Sequence, residues 1–582
     1  MMESRNIAST FPLEVGVRCE NLCLFDGETN LNPICVMYKM YQNIRYNPLH
    51  QNEYTINNIG WNEIGRTEKI SNTKDPNWKN KIEFDYTFGD HVTVKFDIYH
   101  VLENSDWGLL RSNAMDNGPS SHELIGVLEV PLGTLLTCKD GKYSTSLRLN
   151  GMSDDWIKTL GDSSLPKIHL DVREKDEIRK IVDFEVRAED LDNKDFMGKS
   201  DPYLSIYSQS VNGQLTLVYK SEIINDNLHP KWKPFKIELV KLCNGDYNKR
   251  IRMEVHDYDS IGSHDFIGSC MTTMNQMQNN IPNELRFPIT NDDKKGADKG
   301  SGSIIVVRRD VETIPTFVSL LQTGTKINLS VAIDFTQSNG DPNDKSSLHY
   351  LPLGSDNLYS FAARSIIDGI NNFSSNQNID CYGYGARLPQ QEKTSNVFPI
   401  NLSKNSSCGG LEEVLKCYQN CVKDVTFSGP CNLSPIINHV TKHAQTFMVD
   451  GKQYFVLLIL TTGDINDLEE TRSAISAVSD WPISIVVAGI GNRDFSLFDE
   501  LKVDNRTTTS STTKRKSKTP TAPTGRSNYH FVDLKTQMPS TSIQNFSPSS
   551  KANVMRNVAK ELLSQVPRQF AEWMHKSGKI QS

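Results

Sequence analysis

The chain has 582 residues, 23% of them charged and 37% hydrophobic, with a net charge of −7. That length suits about three to four soluble domains with generous loops. The mild negative charge gives no reason to expect nucleic acid, and no run approaches the roughly 18 apolar residues of a membrane span. The first residues, Met-Met-Glu-Ser-Arg-Asn, lack the apolar run of a signal peptide. Eleven cysteines, scattered and without a CxxC pair, suit reduced cytosolic thiols.

Read from the amino terminus, the pattern is first all-β and occurs twice. Arg66-Thr-Glu68 followed by Asp75-Pro76-Asn-Trp78 recurs as Lys220-Ser-Glu222 followed by His229-Pro230-Lys-Trp232. His122-Glu-Leu-Ile-Gly126 recurs as His264-Asp-Phe-Ile-Gly268. A period of about 150 residues marks tandem whole domains, because solenoid repeats are far shorter. The expected division is residues 13–175, then 176–310, then a different domain over 311–582.

The second copy carries five aspartates on two loops. Asp195 and Asp201 lie in Asp195-Phe-Met-Gly-Lys-Ser-Asp201-Pro202, after the alternating stretch from Val182 to Val186. Asp257, Asp259 and Asp265 follow a second such stretch, from Ile251 to Val255. Asp is also a common turn residue. Five converging carboxylates would repel one another, however, and calcium takes six to eight hard oxygen ligands. Aligning the copies sets Asp26 against Asp195, Asn32 against Asp201, His100 against Asp257, Leu102 against Asp259 and Glu123 against Asp265. Only two of the five positions stay acidic, and a stretch near Trp107 to Ser121 is inserted. The first copy therefore reads as a scaffold or constitutive contact, not a calcium sensor.

Beyond residue 311, strands and helices alternate. Leu329 to Ile333, Tyr454 to Leu460 and Ile483 to Ala488 are apolar on both faces. Leu358, Phe361, Ala362, Ile366 and Ile370 share one helical face, as do Leu468, Thr471, Ile475 and Val478. Val554, Val558, Leu562 and Val566 begin a last helix, interrupted at Pro567. The pattern predicts a doubly wound parallel sheet with its site at the carboxyl ends of strands. Asp334, Thr336 and Ser338 stand at the end of the first such strand. Cys408, Cys417, Cys421 and Cys431 raise zinc, but their spacing fits no familiar ligand pattern, and buried thiols are the expectation.

From about residue 506 to 528 runs a Thr, Ser, Lys, Arg and Pro segment with six positive charges and no acids up to Arg526. It is expected to be disordered: a solvated loop, or a contact for anionic membrane or a phosphorylation-tunable switch. No Walker loop, kinase catalytic loop, GxSxG elbow or HExxH pair occurs, so no enzyme activity is expected.

The two aspartate loops resemble those of C2 domains, eight-stranded antiparallel sandwiches that dock on phospholipid. The resemblance implies Asp195, Asp201, Asp257, Asp259 and Asp265 as ligands for two to three calcium ions. Phe196, Met197 and Ile261 are the candidate membrane-inserting residues. The start Asp334-Phe-Thr336-Gln-Ser338 resembles the metal-ion-dependent adhesion site of von Willebrand A domains, which binds magnesium. Ala332 to Pro342, Ser347-Leu-His-Tyr350, Tyr382-Gly-Tyr-Gly-Ala-Arg-Leu-Pro389, Gly429 to Ile437 and Val566-Pro-Arg-Gln569 together resemble copine sequences. Copines carry two C2 domains followed by a von Willebrand A-type domain, and that order spans the chain. The resemblance implies calcium-dependent binding to anionic phospholipid, with cytosolic proteins recruited through the A domain. It also implies a cytoplasmic protein, peripheral and reversible at the plasma membrane or endosomes. The alternative is a magnesium-dependent adhesion-type module with structural C2 copies.

Two departures bear on magnesium. The expected Gly-Pro-Thr reads Gly429-Pro430-Cys431, and the expected Thr-Asp-Gly reads Thr461-Thr462-Gly463. Magnesium demands near-octahedral hard oxygen, so the set Asp334, Thr336 and Ser338 is incomplete. Asp464 and Asp467 are the nearest substitutes, at shifted positions that aim their carboxylates elsewhere.

Overall fold

The computed structural model describes residues 9–24, 30–41, 44–45, 55–56, 60–102, 122–150, 165–175, 180–195, 198–210, 212–260, 263–278, 284–291, 300–313, 315–351, 355–370, 373, 378–447, 452–501, 527–537 and 547–576. Phe196, Met197, Ile261, Asp26, the stretch from Trp107 to Ser121 and the basic segment up to Arg526 lie outside them. Contacts divide the chain into two compact units, one of Met1–Glu174 with Phe317–Ser582 and one of Lys175–Thr316.

The second unit is an antiparallel β-sandwich. Its strand Lys180–Glu189 alternates buried and half-buried positions, as a strand with one face on a core must. Its core includes Val182, Phe184, Val186, Trp232, Met253 and Val255. Strands Ile251–Asp257 and Asp265–Thr272 pair in antiparallel fashion and frame one loop of the acidic cluster.

The first unit opens with a second β-sandwich, a four-stranded sheet facing a five-stranded one. It continues into an α/β layer whose strands Lys326–Asp334, Gln453–Thr461, Ile483–Gly489 and Tyr529–Asp533 run parallel. Strand Gln453–Thr461 is buried at every position but its first, and Ile483–Gly489 at every position. That continuous burial follows from helices on both faces of the sheet. Two sandwiches and one doubly wound α/β layer match the expected fold class. Helix Leu358–Ile370 and helix Leu468–Ala477 lie where their periodicity placed them. The last helical stretch differs. Helix Pro548–Leu563 ends before the proline, and a new helix, Val566–Lys576, starts with Pro567 in its first turn. Proline there gives up a hydrogen bond that the helix start does not need.

Within this unit, one end of the sandwich is docked on the α/β layer by an apolar seam. Phe88 is fully buried between Phe317 and Phe373, with ring centroids 4.7 and 5.1 Å away, edge to face. Next to it, Gly89 has φ +96°, and a Cβ there would meet the backbone of Ala559 at 3.1 Å. Asp90 is buried and pairs with Lys560 at 3.0 Å and Arg556 at 3.7 Å. Gln322 Nε2 donates to Val172 O at 2.8 Å across the same seam.

A small cavity of about 30 Å3 lies in the seam, lined by residues that include Gly89, His91, Ser365, Asp368 and Arg556. His91 Nδ1 and Asp368 Oδ2 are buried and have no hydrogen-bond partner among the described residues. Burial pushes the Asp368 carboxyl up to about 7 against the pull of Arg364, and pushes His91 down to about 4. Asp368 binds its proton more tightly when folded, so its contribution to stability declines as pH rises from about 4 to 7. His91 does the opposite, losing stability as pH falls from about 6.5 to 4. The two trends offset each other below pH 6.5. Asp368→Asn therefore stabilises the unit at pH 7, by an amount on the order of 2–4 kcal/mol, and exposes the rising His91 trend. Melting temperatures from pH 4.5 to 7.5 check this; a variant curve parallel to the wild type refutes it.

Candidate functional site

In the second sandwich the strand register does the placing. Pro202 pairs with Asp257, and Asp257 with Asp265, across three adjacent strands. Asp257 is 1% exposed, and its Oδ1 accepts the Asp201 N–H at 2.6 Å. Asp201 Oδ1 in turn accepts the Asp226 N–H at 2.6 Å, and Asp226 Oδ1 accepts the Lys199 N–H at 2.6 Å. Asn193 braces the first loop, donating to Gly198 O and accepting from Ser200 N–H.

The neighbouring carboxylates act on Asp195. Asp257 is the largest influence lifting the Asp195 carboxyl above its ordinary range, followed by partial desolvation, Asp201, Asp259 and Asp226. Asp265 is exposed at the far side of the second loop. Among the described residues, no three Asp, Glu, His or Cys side chains are gathered tightly enough to hold an ion as they stand. Like charges on facing loops repel one another, and a cation between them would offset that repulsion. The donor set, all hard carboxylate oxygen, fits calcium.

Asp226 was not singled out in the sequence. It is a lone acid in a turn, at φ 53°, and only the fold brings it beside Asp201. The first sandwich repeats the framework without the charge. Asn32 N–H donates to His100 Nδ1 at 3.0 Å, as Asp201 does to Asp257, and Asn32 Oδ1 accepts the Asn72 N–H at 3.0 Å, as Asp201 does from Asp226. Trp78 and Trp232 each donate to the proline after that residue at 3.4 Å. Here Asn, His and Asn replace three carboxylates, so the geometry persists where the anionic ligands do not.

The α/β layer holds a second constellation. Asp334 is fully buried at the end of its strand, with Thr336 N–H at 2.8 Å and Thr336 O–H at 2.6 Å on Oδ1. Its Oδ2 accepts from Thr462 N–H and O–H, both at 3.1 Å, and from Thr461 O–H at 3.3 Å. Ser338 Oγ links the hydroxyls of Thr336 and Thr462, at 2.8 and 3.1 Å. The Cys431 sulfur stands 4.0 Å from Oδ2. Burial raises the Asp334 carboxyl, and the Thr336 and Thr462 bonds partly counter it.

Behind this pocket lies His349, from the phrase Ser347-Leu-His-Tyr350. It stacks between Tyr359 and Phe335, at 4.1 and 5.2 Å. Its Nε2 is 2.7 Å from Asp334 O and its Nδ1 2.8 Å from Tyr418 Oη. A carbonyl can only accept, so Nε2 carries the proton and Tyr418 donates to Nδ1. Burial drives this ring down to about 3, which keeps it neutral. Of the four cysteines noted in the sequence, Cys431 is at Asp334. Cys408 instead neighbours Cys417 and Cys381, whose thiols hydrogen-bond to it and lower it.

Family models match residues 17–149 and 184–289 as C2 domains and residues 347–581 as a copine domain. The chain belongs to the copine family. This copine thus has two C2 domains followed by a copine domain, in a family of membrane-associated calcium- and phospholipid-binding proteins. Similar solved structures include "BON1-C2B", 21% identical over 24% of this chain and 94% of that one, with a TM-score of 0.21. A single C2 domain of a plant extended synaptotagmin 1 is 18% identical, covering 24% and 99%, with a TM-score of 0.19. The calcium-bound pair of C2 domains of extended synaptotagmin 2 is 11% identical, covering 53% and 100%, with a TM-score of 0.19. At these scores the structures add no argument to the family models. Among the described residues, no helix is long and apolar enough to cross a membrane.

Because Lys175–Thr316 is a compact unit of its own, it can be tested by itself. A ligand that binds only the folded state stabilises it by RT ln(1 + [L]/Kd), about 2.7 kcal/mol at a hundredfold excess over Kd. Calcium is expected to raise the melting temperature of this fragment, and Asp201→Asn to remove the rise. No calcium shift in the wild-type fragment refutes the expectation.

Proposed function

We propose that this copine is a calcium-controlled adaptor between anionic membranes and cytosolic proteins. The observation that carries the reading is the clustering of acids at one end of the sandwich: the Asp201 N–H lies on Asp257, the Asp226 N–H on Asp201, and Asp257, Asp201, Asp259 and Asp226 all act on Asp195. Asp195, Asp201, Asp257, Asp259 and Asp265 hold two to three calcium ions, with Asp226 bracing the cluster from the neighbouring turn. Bound calcium supplies positive charge and open positions for lipid phosphate. The loop side chains Phe196, Met197 and Ile261 then enter the interface. The first sandwich, which keeps only two of the five acids and is docked on the A domain, acts as scaffold. Association is cytoplasmic, peripheral and reversible, at the plasma membrane or endosomes, and the A domain captures the protein partner. The adhesion-type alternative draws no support from the Asp334 pocket, where one carboxylate is surrounded by internal donors.

The test is sedimentation of the whole chain with phosphatidylserine-containing vesicles, in calcium and in EGTA. The reading expects pelleting in calcium at micromolar levels and release in EGTA. Binding that ignores calcium, or no binding at all, overturns it.

A further inference from the structure

The Asp334 pocket stands where the family resemblance leads one to expect a divalent cation, and its donor set does not fit one. We infer that this A domain works without a divalent cation: hydrogen-bond donors of its own loops satisfy Asp334, and Arg493 supplies the positive charge at the rim.

Both oxygens of Asp334 are engaged, and two of the donors are backbone N–H groups of Thr336 and Thr462. A hydroxyl can rotate to offer a lone pair to a metal, but a backbone N–H can only present its proton. The Thr462 N–H is aimed at Oδ2, the oxygen beside Cys431, so the pocket's interior is lined with positive ends of dipoles. A single carboxylate facing a divalent ion among such donors leaves charge unmatched in a buried site, which is unfavourable.

Both acids that could replace the missing one are turned away. Asp467 accepts the Leu433 and Ser434 N–H groups, each at 2.9 Å, at the start of helix Ser434–Thr446, and the Thr471 hydroxyl at 3.0 Å. Asp464 faces Arg493, whose Nη1 lies 3.0 Å from each carboxylate oxygen. Arg493 Nη2 donates to Ser338 O at 3.2 Å. The guanidinium thus ties the loop after Ile483–Gly489 to the loops carrying Ser338 and Asp464. Arginine suits this place because its planar fork serves several acceptors and its charge is permanent. The cation of this face is therefore part of the chain, and the face holds one state whether or not divalent ions are present. Divalent response is left to the second sandwich. The inference stands on this pocket and does not depend on the lipid reading above.

The experiment uses the whole chain carrying Asp257→Asn and Asp259→Asn, so that the second sandwich is silenced. Manganese is the probe, with free ion followed by electron paramagnetic resonance. No manganese is expected to bind this background up to about 1 mM, the weak end of the range for oxygen-ligand sites. Adding Cys431→Thr with Thr462→Asp is expected to create a site that Asp334→Asn then removes. As a second readout, manganese is expected to leave the melting temperature of the background unchanged, while Arg493→Gln lowers it by several degrees in EDTA. Manganese bound by the background and lost on Asp334→Asn overturns the inference, as does a melting temperature raised by manganese and dependent on Asp334.

Discussion

Replacing Asp257 and Asp259 together by Asn abolishes calcium-dependent sedimentation with anionic vesicles. Asp257 is 1% exposed and lies between Pro202 and Asp265 in the strand register, so it is central to the cluster. Asparagine keeps the Oδ1 that accepts the Asp201 N–H, so the loop geometry survives while two charges go. Affinity at carboxylate sites is tuned over several decades by ligand charge, and losing two acids moves the calcium midpoint on the order of 100-fold or more. The same change relieves Asp195 of its largest repulsive neighbour, so the calcium-free variant melts no lower than the wild type. That control separates lost binding from lost folding. Unchanged sedimentation with a normal melting curve would sink the assignment of these loops.

Phe88→Ala is the second large effect, and it acts on the seam. The side chain is fully buried against Phe317 and Phe373, which belong to the α/β layer. Truncating a buried Phe costs about 3–5 kcal/mol, more where rigid neighbours cannot collapse into the space. Here Gly89 holds the turn against Ala559, and the Asp90 pairs with Lys560 and Arg556 fix it from the other side. The first sandwich and the α/β layer are therefore expected to melt in one transition, lowered together in the variant. Trp78 reports on the sandwich and Trp573 on the last helix, and both are buried. Calcium stabilisation of Lys175–Thr316 stays as in the wild type. Separate transitions for Trp78 and Trp573, or a loss below about 1 kcal/mol, would show that the seam carries little of the stability.

Much of the architecture could be read from neighbouring residues alone. Alternation from Val182 to Val186 and from Ile251 to Val255, and the unbroken apolar runs of the parallel strands, each depend on a few adjacent side chains. The repeated Glu, Pro and Trp phrases carried the pairing of Asn32 with Asp201 and His100 with Asp257. The structure shows that pairing as equivalent hydrogen bonds. Helices Gly410–Asp424 and Ser434–Thr446 were legible by the same rule, though not singled out from the sequence: Val414, Leu415, Tyr418 and Val422 share the buried face of the first, and Pro435 marks the start of the second. What the tertiary structure decided lies between residues far apart in the chain. Asp226 joins the acidic cluster only because a turn at φ 53° lays its N–H on Asp201. Asp464 and Asp467 look alike as possible ligands in the sequence, yet one faces Arg493 and the other caps a helix start. Nothing near Phe88 announces Phe317, and nothing near Asp90 announces Lys560. Local pattern determines which face of an element is apolar and which loops carry charge. Which apolar face meets which, and where each charge finds its partner, follows from docking whole elements, a choice made by summed burial that no short stretch contains.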